Sequence, residues 1–159
     1  MVLKYFLVFL VSMVPIVELR GAVPIGTGFF ELNPWATLAV CIIGNMIPVP
    51  FIYFFAQKIL VWGSDKRFIG KFFSWCLEKG RKGGRKLQEK AGRGTFIALL
   101  LFVGIPLPGT GAWTGTLAAS LLDFGFKKSV IAVILGVLLA GIIMTLGTLG
   151  VFTAITSLF

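Results

Sequence analysis

Apolar residues run through this chain in four blocks, separated by polar or Pro/Gly-rich breaks. Two blocks, near 35–61 and 129–159, are long enough to cross a bilayer, since about 20 apolar residues cover roughly 30 Å of hydrocarbon. The other two are short and interrupted. Residues 1–14 are apolar apart from Lys4 and Ser12. At 1.5 Å per residue they reach about 21 Å, less than the hydrocarbon thickness. A break is expected over 15–24, bounded by Pro15 and Pro24, with residues 22–31 leading back out. Lys4, the apolar core and the small residues behind it also fit a signal-peptide template. No small-x-small cleavage site stands at the right place, and a short half-helix is the better reading. Residues 95–105 form a second short arm, broken over 106–111, with 112–122 returning.

The boundaries between blocks carry their own signals. In Glu31-Leu32-Asn33-Pro34, Asn33 is placed to cap a helix whose first residue is Pro34. The span 34–61 is interrupted by Gly44-Asn45 and by Pro48-Val49-Pro50, which predicts a kink. Asn45 in lipid would be costly and is expected to face protein, as a helix–helix hydrogen bond or a ligand contact. Residues 66–79 put apolar groups at 68, 69, 72, 73 and 76, the spacing of a helix lying in the membrane interface. Residues 80–94 read as a Gly-, Lys- and Arg-rich linker, and Arg93 stands at the mouth of the next apolar segment. Asp123 precedes the last span and is expected to cap it at the membrane surface, with a proton-carrying role as the secondary reading. That span, 127–159, carries Gly136, Gly141, Gly147 and Gly150, which allow close helix approach.

Composition turns the pattern into a class. Hydrophobic residues make up 57% of the chain and charged residues 13%, against roughly 25% charged in a soluble domain. The chain reads as one multi-pass membrane domain. From Lys58 to Arg93 there are eleven Lys or Arg against three acids, a net +8. The overall +9 is therefore the signature of a cytoplasmic loop, 62–94, and not of a nucleic-acid binder. If 95–122 is a hairpin, Lys127 and Lys128 also lie inside, and both chain ends fall outside. The expected fold is an all-α integral membrane protein. It is an inverted repeat of two units, each a re-entrant helical hairpin (1–31 and 95–122) followed by a transmembrane helix (34–61 and 127–159). Such a small bundle leaves room for a homodimer. There is no His, and one Cys lies in a span while the other lies in the basic loop. Neither a metal site nor a cofactor is expected.

The candidate chemistry sits in the breaks. Glu18 and Arg20 in Glu18-Leu-Arg20-Gly21-Ala-Val-Pro24 are opposite charges inside an apolar segment, where each costs about 2.5–3.5 kcal/mol. They must face protein or water. The second break, Gly104-Ile-Pro106-Leu-Pro108-Gly109-Thr110-Gly111-Ala-Trp113-Thr114-Gly115, supplies backbone groups that glycines leave accessible. The two breaks are expected to face each other and build one site, with Arg20 and N–H groups near Gly109-Thr110-Gly111 holding an anion. Trp113 would flank it. The bland alternatives are a buried ion pair fixing the hairpin, a plain helix break, and core packing for Trp113.

The same two stretches resemble the signature stretches of the small multidrug export family of prokaryotes. That family is itself distantly similar to the DedA or SNARE-associated membrane proteins. The resemblance implies paired re-entrant hairpins and movement of lipid carriers or lipids, proton-linked in some members. DedA-type proteins place arginines in the second hairpin, whereas here Arg20 stands beside Glu18. The expected function is a transporter or translocase, proton-coupled through Glu18, for an anionic or amphiphilic substrate such as a lipid carrier or drug-like molecule. The alternatives are a passive lipid scramblase or channel, and a non-transporting assembly factor. No Gly-x-Ser-x-Gly elbow, Walker A loop or acid cluster suggests an enzyme.

Overall fold

A computed structural model describes the chain except residues 68, 69, 72, 73, 76, 77, 79–88, 90–93, 108, 109 and 157–159, and the side chains of 152–156. All regular elements among the described residues are helices. They are α1 (Val2–Ser12), α2 (Glu18–Pro24, running on as a π-turn over Ile25–Phe29), α3 (Pro34–Met46), α4 (Pro48–Ser64), α5 (Gly94–Gly104), α6 (Ala112–Leu121) and α7 (Phe126–Thr156). The expected interfacial helix and linker over 66–94 fall largely outside the described residues.

The third helix starts as its sequence dictates. The Asn33 side-chain oxygen accepts from the N–H groups of Trp35 and Ala36, each at 3.1 Å, and Pro34 takes the first helical position, where its missing N–H costs nothing. The helix is interrupted at Ile47 because Pro48 cannot donate the next backbone bond. Together α3 and α4 make a 31-residue apolar rod, Pro34–Ser64, about 46 Å along its path. Phe126–Val151 of α7 forms the other apolar rod. Both are long and apolar enough to cross a membrane.

The first break differs from expectation. Glu18–Pro24 is helical, so the charges open a helix, and the interruption lies ahead of them, over residues 13–17. Pro24 is accommodated inside the helix because its φ of −58° is already helical. The chain widens after it: Phe30 N–H donates to Ile25 O at 3.0 Å, the reach of a π-turn.

The helix directions follow from pairs of contacts. Lys4 Nζ donates to Phe30 O at 3.3 Å and lies over its ring, while Val8 abuts Gly26. The first helix and α2 therefore form an antiparallel pair that closes on itself. Val8 and Thr37 both abut Gly26, while Ser12 and Phe9 meet Gly44, so α1 runs parallel to α3. Val103 and Leu100 meet Gly136, and Leu139 meets Gly104, so α5 runs parallel to α7. The returning arms cross over. Leu19 meets Gly141 and Thr148 is nearest to Gly28, laying α2 along α7. Ser120 Oγ donates to Tyr53 O at 2.7 Å, laying α6 along α4. Glycine matters most where backbones touch: a Cβ at Gly136 would stand 2.8 Å from Leu100 O. The core between these layers is Val8, Leu19, Val23, Val49, Val103, Val133 and Val137.

Candidate functional site

The site is built where α2 begins. Glu18 is its first residue, with a left-handed φ of 48°, a backbone state that costs a non-glycine residue about 1–3 kcal/mol and persists where surroundings over-determine it. Its side chain is 6% exposed. The carboxylate crosses to the break between α5 and α6 and sits on the first turn of α6. There Oε1 accepts from Trp113 N–H at 3.0 Å, and Ala112 N–H also donates to the carboxylate. These are donors that a helix leaves unsatisfied at its start, and the helix dipole favours a negative charge on them.

Two residues on, Arg20 reaches the other side of the same break. Its guanidinium donates to Leu107 O, to Val103 O at 3.1 Å and to Ile105 O at 3.2 Å. Val103 O belongs to the last turn of α5, and Ile105 O and Leu107 O lie just beyond it, at a helix C-terminus where a cation is favourable. One short helix thus carries an anion to the positive end of α6 and a cation to the negative end of α5. The charges are partnered through the backbone of α5, α6 and the break between them, and that break is closed from both sides.

A family model described as "Putative small multi-drug export protein" matches residues 18–143. The chain belongs to that family. No curated protein and no solved structure matches it. With its two apolar rods, this member of the small multi-drug export family is a membrane protein, and the family name denotes export. The matched region opens at Glu18 itself.

The other expected residues distribute around this latch. Gly111 lies directly against it: a Cβ there would stand 2.7 Å from Glu18 Cδ. Thr110 Oγ1 donates within the break, to Ile105 O at 2.9 Å and Leu107 O at 3.0 Å, reinforcing the carbonyl cluster that Arg20 holds. Pro106 is part of that non-helical stretch. Pro108, Gly109 and Arg93 lie outside the described residues. Trp113 contributes its backbone N–H to Glu18, while its buried indole Nε1 has no partner. Gly21 packs against Val17 in its own turn and does not reach α5 or α6. Asn45 is buried at 2% exposure with Oδ1 unpartnered, ahead of the Ile47 kink. Asp123, with φ 56°, follows the end of α6 and is 3.5 Å from Gln57 Nε2.

The sequence reading missed Gln57. Its Nε2 donates to Ser120 O at 3.1 Å, tying the exit of α6 to α4. The signal was available: an amide in an apolar span needs a protein partner, the argument already made for Asn45. Among the described residues no cluster of His, Cys, Asp or Glu could hold a metal.

Proposed function

We propose that this protein is a proton-coupled translocase for an anionic amphiphile, a lipid carrier or a drug-like anion, and that the Glu18–Arg20 latch is its switch. The observation that carries this is the reach of Glu18 to the N-terminus of α6. A ready anion seat is there filled by a side chain that a proton can neutralise. Ionised Glu18 occupies the seat. A proton on Glu18 removes the charge that holds it there, and a phosphate or carboxylate can take the two N–H groups and draw Arg20 from its carbonyls. The exchange couples one proton to one anion.

The transport reading rests on a membrane frame, also proposed. In it the antiparallel α1–α2 pair and the α5–α6 pair, whose Gly115 faces back onto Val103 and Leu99, are re-entrant hairpins, each followed by a span, and the halves form an inverted repeat. The helix directions support it: each entering arm runs along its own half's span, and each returning arm along the other's. A second support comes from two of the three non-glycine residues with left-handed φ among the described residues: Glu31 at 53° and Asp123 at 56° each stand just ahead of a span. The basic loop 62–94 is then cytoplasmic and both ends outside.

A second reading has its own support. Both charges cap helix ends, so the pair could serve assembly alone, in a passive scramblase, a channel or an assembly factor. Flux of a labelled phosphate-bearing lipid in proteoliposomes, with and without a pH gradient, separates these. Gradient-driven movement lost in Glu18→Gln supports the translocase. Gradient-independent movement that survives the substitution supports the scramblase. Lowered protein level with no flux in either supports the assembly role.

A further inference from the structure

Glu18 is the one acidic residue in the seven described helices, and its burial means that a proton must cross part of the bundle to reach it. The face of α6 that begins at its donors offers a way. Ala112, Thr116 and Ser120 follow one another at intervals of four along that helix, and all are buried. Such positions stack on one face, about 5–6 Å apart. Asp123 comes three positions after Ser120, just past the helix, and is exposed. From Ala112 to Asp123 the rise is about 16 Å, roughly half the hydrocarbon thickness.

The outer end of this row is held by α4. Ser120 Oγ gives its proton to Tyr53 O at 2.7 Å and keeps lone pairs with which to accept. Gln57 Nε2 donates to Ser120 O at 3.1 Å and stands 3.5 Å from Asp123 Oδ1. Gln57 lies on the half of α4 that leads to Ser64 and the basic loop, so the row opens at that end of the bundle. Thr116 is its informative member. It is 1% exposed, and its hydroxyl has no partner in the protein. The buried hydroxyls of Ser12, Ser129 and Thr145 each turn back to a carbonyl three or four positions earlier. Thr116 and, near the start of α3, Thr37 do not. A buried hydroxyl left unpaired costs about 1–3 kcal/mol, and a polar spot with further polar groups to either side is where a protein holds water.

We propose that this row is the proton path to Glu18 from the basic-loop end, with Asp123 at its mouth and Thr116 as its middle relay. One water in each interval joins Asp123, Ser120, Thr116 and the carboxylate at Ala112. Each hydroxyl and each water takes one proton and passes one on, so the path is left unchanged and Glu18 gains the single proton. The inference rests on the reading of Glu18 as a protonatable switch, and adds the side from which it is loaded. Arg20 is the charged neighbour of Glu18. The elements packed around the path add Lys4 and Tyr5 of α1, Cys41 of α3, Tyr53 and Lys58 of α4, and Lys127 and Lys128 of α7, and α5 adds none. No second carboxyl therefore competes for the proton inside the bundle.

The test is stopped-flow infrared spectroscopy of the full chain in lipid nanodiscs. It follows a drop in pH through the rise of the protonated-carboxyl band that Glu18→Gln removes, with no substrate present. Thr116→Val keeps the shape and deletes the hydroxyl. The rise should slow about tenfold, the loss of about one hydrogen-bonded link, with the midpoint pH of the band unmoved. Thr116→Ser should restore the rate. Asp123→Asn keeps a residue that tolerates left-handed φ, and should slow the rise about tenfold at low salt by removing the charge at the mouth. A wild-type rate in Thr116→Val overturns the path. So does a Thr116→Ser protein as slow as Thr116→Val, or a midpoint that moves with the rate, either of which marks Thr116 as packing only. A Glu18 band that appears at no pH overturns both the path and the switch. Loading as expected in a protein that moves no lipid across vesicles leaves the path standing and ends the translocase reading.

Discussion

Replacing Gly111 with alanine should dislodge the Glu18 carboxylate from α6. Gly111 has φ 172°, an extended conformation that any residue adopts, so the backbone does not require glycine there. The space does. An added Cβ would collide with Glu18 Oε2 and stand 2.7 Å from Cδ and 2.8 Å from Oε1, below any normal contact. The carboxylate cannot withdraw cheaply, because its position is set by the N–H groups of Ala112 and Trp113. Two charge-assisted bonds are together about 3–6 kcal/mol, and partial relaxation leaves a net loss of about 3 kcal/mol. For a chain of this size that lowers Tm by roughly 6–12 °C, measured by thermal melting in detergent. Glu18→Asp draws the carboxylate back by about 1.5 Å, one C–C bond. The double variant Glu18→Asp with Gly111→Ala should therefore recover about half of the loss instead of adding a second one. An unchanged Tm in Gly111→Ala, or strictly additive losses in the double variant, would refute the steric argument.

Arg20→Lys should cost about 3 kcal/mol in the same melt, since an ammonium cannot span the three carbonyls that the guanidinium fork reaches and loses about two charge-assisted bonds. Gly26→Ala puts a methyl against Thr37 Cγ2 and 3.2 Å from Val8, and should lower stability by about 1–3 kcal/mol through overpacking while leaving Glu18 chemistry intact. Gln57→Leu should loosen the exit of α6 and raise amide hydrogen exchange in residues 118–121 by about fivefold, the loss of roughly one hydrogen bond; exchange at the α6 N-terminus should not move. In a background without Cys41 and Cys76, a cysteine at Trp35 should label from outside and one at Lys127 from the cytoplasm. The reverse at position 127 would remove the hairpin topology.

Much of the helix plan was legible because it depends on local chemistry. Asn33-Pro34 carries its own cap, Pro48 its own kink, and the short arms announce themselves by length. The placement of the first break was not, because a proline inside an apolar run normally ends a helix, and here a π-turn absorbs Pro24. The charge pair was visible, but its partners were not. Glu18 meets a backbone N–H 95 positions away, and Arg20 meets carbonyls 83–87 positions away. Every residue carries such groups, so no side-chain pattern marks them. The pairing became readable only once α5 and α6 presented their open ends to α2. Gln57 belongs to the opposite case, a polar residue in a span that could have been questioned from composition alone.

The crossed packing has a consequence for how the chain is made. When the first half has left the ribosome, α2 has no α7 to lie on, and Glu18 and Arg20 have no helix ends to hold. Buried Glu18 and half-buried Arg20 then wait in or near lipid until residues 94–156 arrive. The two halves are each other's missing surface. Expressed as separate polypeptides cut within the basic loop, neither should accumulate alone, and together they should reassemble into a stable pair, so that the loop's covalent continuity matters less than the order in which its two ends are inserted.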